Sequence, residues 1–153
     1  MGREYVVIDM AYRLLALLFL VTVTVASARA QYSKTIHKTF ATRDIERIDV
    51  GIVDSVTIEH WAGNLILVQT DVRVYQASEG LFKFLVGESG RYDIVSSQEG
   101  STLHLSSAVP LREAIHAKTG TVRERVFVKV MLPEEFVGEG SGPYVRQTDE
   151  AGR

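Results

Sequence analysis

The chain has 153 residues and a mass of 17.0 kDa, with 17 Lys+Arg against 19 Asp+Glu and a formal charge of −2, a length that suits one domain rather than two. Its 24% charged and 46% hydrophobic residues are values of a folding globular chain, and without a basic excess no nucleic-acid partner is expected. The absence of Cys excludes disulfides, thiolate metal sites, a cysteine nucleophile and lipidated cysteine.

The first element is an apolar run, Leu14 to Ala28 (LLALLFLVTVTVASA), preceded by Arg13 and followed by Arg29, Ala30 and Gln31. Ala28 and Ala30 make the small-x-small pattern that a signal peptidase accepts, which predicts a signal-peptide helix over 1–30 cut before Gln31. A bilayer span needs about 20 apolar residues, so a retained anchor is the weaker reading and membrane contact is expected only through the transient leader. Glu4 and Asp9 are foreign to a leader's basic start, whereas Met10 to Arg13 fits it, so translation starts at either Met1 or Met10. Cleavage removes Arg3, Arg13 and Arg29 and leaves 14 bases; removing Glu4 and Asp9 leaves 17 acids, a charge of −3.

From there the sequence alternates with period two. Ile48, Val50 and Ile52 oppose Asp49 and Gly51, and Val56 and Ile58 oppose Ser55, Thr57 and Glu59, the pattern of half-buried strands. Leu65 to Val68 is apolar on both faces and predicts a strand covered on both sides. Val72 and Val74 resume the alternation; Phe82 and Phe84, Tyr92 and Ile94, and Leu103 and Leu105 extend the strand series. Glu124 to Leu132 is the clearest strand, with Val126, Val128, Val130 and Leu132 on one face. Gly-containing turns separate the runs, including Ala62-Gly63-Asn64, Gly87-Glu88-Ser89-Gly90 and Glu99-Gly100-Ser101. Pro110 to Gly120 reads as a short helix or as an irregular connection. After Pro133, acids and glycines take over, and such a stretch buries little. The expected fold class is all-β, with short stacked strands forming a β-solenoid or β-roll, or alternatively a β-sandwich. The domain is placed at 31–136, with 137–153 a flexible tail that reads as a truncated continuation.

Motifs for chemistry are sparse. His37, His60, His104 and His116 lack metal-ligand spacing. Neither Gly87 to Gly90 nor Gly138 to Gly142 matches a nucleophile elbow or a phosphate loop. No catalytic, metal or cofactor residue is nominated, and the chain is expected not to be an enzyme; a carbohydrate-active enzyme is the lesser alternative. Two candidates for ligand contact remain. Trp61, the single tryptophan, is either a stacking platform for a sugar or a plug at one end of the core. His60 extends the Val56/Ile58 face.

The order of the stretches FATRDIERIDV (Phe40 to Val50), DSVTIEH (Asp54 to His60), LILVQTDVRV (Leu65 to Val74), YDIVSSQEGSTLHLS (Tyr92 to Ser106) and RVFVKVMLP (Arg125 to Pro133) resembles the bacterial adhesin-like domains of the head GIN, or auto-transporter adhesin, type. About two thirds of the chain is covered. The resemblance implies stacked short strands and a role at the cell surface or in the periplasm, and it defines no catalytic residue. It leads to the expectation of an exported, non-enzymatic domain that presents a strand surface to an envelope protein or a surface glycan. The alternative is a periplasmic structural or regulatory module that docks by strand addition. Because the chain stops soon after Pro133, the strand at Glu124 to Leu132 is expected to expose an edge open to self-association.

Overall fold

The computed structural model describes residues 31–118, 120–138, 140 and 142–147. The chain divides into Met1–Ala30 and Gln31–Arg153, and every described residue lies in the second unit. The expected leader, with Ala28 and Ala30 at its expected cleavage site, lies outside the described residues.

Among the described residues eleven strands and one helix follow in order: β1 (Gln31–Ala41), β2 (Arg47–Gly51), β3 (Ser55–Trp61), β4 (Leu65–Tyr75), α1 (Glu79–Gly87), β5 (Ile94–Glu99), β6 (Thr102–Ser107), β7 (His116–Ala117), β8 (Gly120–Thr121), β9 (Arg123–Pro133), β10 (Phe136–Val137) and β11 (Tyr144–Arg146). The domain is all-β apart from α1. Four strands form one open sheet in the order β1-β4-β9-β3, and five form a second in the order β10-β11-β2-β6-β5, with β7-β8 a separate ribbon. Within the four-stranded sheet β1/β4 and β4/β9 are antiparallel and β3/β9 is parallel; in the other, β2/β6 is parallel.

Alternation is what builds the core. Ile66, Val68, Val128, Val130 and Leu132 on the inner face of the four-stranded sheet cluster with Ile48, Leu103, Leu105, Ile94 and Phe136 of the other. Successive side chains on a strand point to opposite faces, so the residues between them are left outside. A second cluster joins Val72 and Val74 to Phe82 and Leu85 of α1, together with Tyr92 and Val122. The helix thus covers the end of the inner face near Val72 and Val74. No buried side-chain nitrogen or oxygen among the described residues lacks a partner.

Several sequence expectations change. Phe82 and Phe84 lie on α1, not on a strand: Ser78 caps the helix by accepting from the Leu81 amide, and the three-residue spacing of Phe82 and Leu85 buries both while Phe84 stays 49% exposed. A two-residue alternation is too short to tell a strand from one helical turn. Gly87 to Gly90 is therefore the end of that helix rather than a hairpin turn, and both Glu88 and Ser89 amides donate to the Phe84 carbonyl. Tyr92 precedes β5. The described residues of Pro110 to Gly120 form no helix and so follow the irregular-connection reading; Leu111 is 89% exposed, and the segment ends in the β7-β8 ribbon. Leu65 to Val68 is covered on one side only, with Ile66 and Val68 buried and Leu65 38% exposed.

The segment after Pro133 buries more than its composition suggests. Phe136 is fully buried, Tyr144 is 3% exposed, and β11 pairs with both β10 and β2. Arg146 fastens it: Nε donates to the Ile45 carbonyl at 2.8 Å, Nη2 to that of Thr42 at 2.7 Å, and Nη1 to Glu135 at 2.7 Å. Nor does the strand at Glu124 to Leu132 expose an edge, because β9 is inserted between β4 and β3. The edges of that sheet are β1 and β3.

Candidate binding face

Cross-strand register assigns the outer face of the four-stranded sheet residue by residue, since partners directly opposite share a face. Thr35, Asp71 and Phe127 form one row; His37, Gln69 and Lys129 the next; Thr39, Leu67 and Met131 a third; and Ser33, Arg73 and Arg125 lie to the other side. Through β3 the rows extend to Ser55, Thr57 and Glu59. None of these side chains is buried, so no described element covers the face. Its middle is ordered by hydrogen bonds: Thr35 Oγ1 donates to Asp71 Oδ1 at 2.5 Å, Gln69 Nε2 to Asp71 Oδ2 at 3.1 Å, and Lys129 pairs with Glu59 at 2.9 Å. The Thr35 and Gln69 hydrogen bonds, aided by Arg73, hold the Asp71 carboxyl below its ordinary pKa.

The two ends of the face differ in chemistry. At one end Leu65, Leu67 and Met131 neighbour Trp61. At the other, Arg73 stands directly opposite Arg125, and Arg123 follows on the same face opposite Tyr75. The sequence between the two β9 arginines contains Glu124, but alternation turns it inward. There Arg91 holds it through both carboxylate oxygens at 2.8 and 2.9 Å, and the Tyr92 hydroxyl donates to it as well. Burial works to raise the Glu124 pKa, yet these bonds outweigh it and keep the carboxyl below its ordinary value; burial and the same contact push the Tyr92 phenol up. Arg112 lies over the Tyr92 ring at 5.4 Å and pairs with Asp54. With every charge in this network matched, it ties β9 to the β2–β3, α1–β5 and β6–β7 connections and has no free group left for chemistry.

The two sequence candidates separate. His60 and Trp61 are consecutive on β3 and therefore point to opposite faces. His60 Nε2 makes a 2.8 Å hydrogen bond with the Phe136 carbonyl, and its ring sits 6.1 Å from that of Tyr144, so it is a connector between the sheets. Trp61 folds over its own turn: Nε1 donates to the Leu65 carbonyl at 3.0 Å, and a Cβ on Gly63 would sit 2.3 Å from the indole. The ring is half-buried, and Gly63 is the residue that lets it lie against the turn. His37 is exposed on the outer face, and His104 lies 3.4 Å from Asp49 on the other sheet.

A groove opens between the sheets beside β3, lined by Val50, Ile52, Asp54, Val56, Ile58 and Tyr144. A smaller cleft on the first sheet is lined by Ser33, Lys34, Thr35, Asp71 and Arg73. Among the described residues no group of three or more His, Asp or Glu could hold a metal ion, and no helix is long and apolar enough to cross a membrane. Sequence reading missed Arg73, Arg123 and Arg125 as a group, because the register that joins residue 73 to residue 125 is a long-range pairing. The only local signal was the Arg-Glu-Arg alternation. No family model, no curated protein and no solved structure matches this chain.

Proposed function

We propose that this chain is an exported, non-enzymatic β domain that presents the outer face of its four-stranded sheet to a protein or glycan partner, in adhesion or envelope interaction, in the periplasm or at the cell surface. The face itself supports the reading most: four strands wide, uncovered by any described element, and ordered in its middle by the Thr35–Asp71–Gln69 bonds. A surface already held in place loses little entropy on binding. The export signal and the resemblance to head GIN adhesin domains support the location and the class. In the same reading the two sheets are a β-sandwich rather than a stacked coil, because their inner faces share one core cluster and β1, β4 and β9 each run 11 residues.

The test is a photo-crosslinker placed at residue 69 of the full chain in the producing bacterium, with residue 106 on the opposite sheet as the control and the mature N-terminus read by mass spectrometry. An N-terminus at Gln31 and an adduct with an envelope protein or glycan from position 69 alone is the expected result. A retained leader, or equal adducts from both positions, would remove the proposal. A second reading, docking by strand addition, is favoured by the groove beside edge strand β3; an adduct from residue 52 in place of residue 69 would select it.

A further inference from the structure

The arginine end of the outer face carries a cost that the fold does not require. Like charges directly opposite on a sheet destabilise it, and Arg73 and Arg125 are such a pair. Their Cβ atoms are about 5 Å apart by that geometry, and Arg123 follows two residues along the same strand, roughly 7 Å away. All three side chains are exposed. Of the nearby acids, Glu124 points inward to Arg91 and Tyr92, and Asp71, two residues from Arg73 on the same face, feels the Arg73 charge while its oxygens accept from Thr35 and Gln69. No ion pair ends on Arg73, Arg123 or Arg125 among the described residues. A cationic patch thus survives on a chain whose net charge is negative. Two further features share the place: the cleft lined by Arg73, Lys34, Ser33 and Thr35 together with the hydrogen-bonded Asp71 carboxylate, and the rings of Tyr75 and of Phe127, the latter 46% exposed.

We propose that the Arg73, Arg123 and Arg125 end of this face binds an acidic glycan, a polysaccharide whose carboxylate or sulfate groups repeat along the chain. Guanidinium groups match planar or tetrahedral oxyanions through paired N–H donors. Flanking aromatic rings suit the apolar faces of sugars, and hydroxyls such as those of Ser33 and Thr35 suit their polar rims. Three cations in one cluster suit a short run of anionic groups; a nucleic acid tract would call for a longer basic stripe. The assignment rests on the outer-face reading above and gives it a ligand class.

The experiment titrates the purified protein with labelled heparin, which carries sulfates, with polygalacturonate, which carries carboxylates only, and with neutral dextran, following anisotropy at low and high salt. Binding to one or both acidic polymers, weakened by salt, with none to dextran, is expected. Arg73→Ser/Arg125→Ser should lower the affinity by at least about tenfold, while Arg47→Ser on the other sheet leaves it unchanged. Heparin alone binding assigns sulfate, and both polymers binding assigns the shared oxyanion chemistry. The double variant should melt no lower than the wild type, because it removes like-charge opposition, so loss of binding is not loss of fold. Equal affinity of the double variant, equal binding of dextran, or duplex DNA bound as tightly as the best glycan would overturn the assignment. No polymer bound while the residue-69 adduct persists removes the ligand class alone; loss of both removes the face.

Discussion

Val128 shows how much one position can decide. It is 2% exposed on the inner face of β9, opposite Val56 and Thr70. Val128→Asp places a carboxylate there with no partner, and it should cost at least about 3 kcal/mol, read as a large drop in melting temperature by circular dichroism. Glu124 is the polar counterpart. Its folded pKa lies below the ordinary 4.5, so its contribution to stability is complete above that value and is lost as pH falls through the lower folded value. Glu124→Gln keeps the shape but breaks the doubly bonded contact with Arg91. Stability at neutral pH should fall by about 1–3 kcal/mol, and the acid side of the stability–pH curve should flatten. Denaturant titrations between pH 3 and 7 would check both.

At the scale of elements, the two edges of the four-stranded sheet are treated differently. β1 is an 11-residue edge, the sort of strand that recruits other chains. Its register places Lys34 opposite Val72 and Lys38 opposite Val68, so both lysines stand on the inward face, where a pairing strand from another molecule would have to bury them. Lys38 meets the Phe40 ring at 5.8 Å. Lys34→Val/Lys38→Val should leave the fold intact and raise self-association, seen as a concentration-dependent shift in light scattering. Edge strand β3 has Val56 and Ile58 at the corresponding positions, and both line the groove beside it. The helix has a local cause too: Ser78 begins it, and Phe82 and Leu85 give it one apolar side.

For the whole molecule, closure depends on the segment after Pro133. β11 lies against β2, Tyr144 joins the main core, and Arg146 binds the carbonyls of Thr42 and Ile45 while its guanidinium covers the Phe136 ring at 4.8 Å. Residues more than 100 positions apart are joined this way. Arg146→Ala should cost about 1–3 kcal/mol through the carbonyls it leaves without a partner, and a chain ending at residue 138 should lose more, since Tyr144 then no longer covers Ile48. Melting curves of the two variants give the order.

The all-β class was legible in the sequence, because the face a side chain takes is fixed by its parity along a strand and the valines of β9 and β4 keep that parity for many residues. Where the pattern was short, at Phe82 and Phe84, parity could not tell strand from helix. Where composition stood in for pattern, after Pro133, it hid Phe136 and Tyr144, whose burial comes from partners far away in the chain. Trp61 and His60 stood out by residue type, yet one seals a turn and the other joins two sheets. The arginine cluster had the opposite fate: each member is ordinary in sequence. Only the pairing of β4 with β9 sets Arg73 opposite Arg125 while sending Glu124 inward, because register is a long-range choice made by the core and not by the residues it brings to the surface.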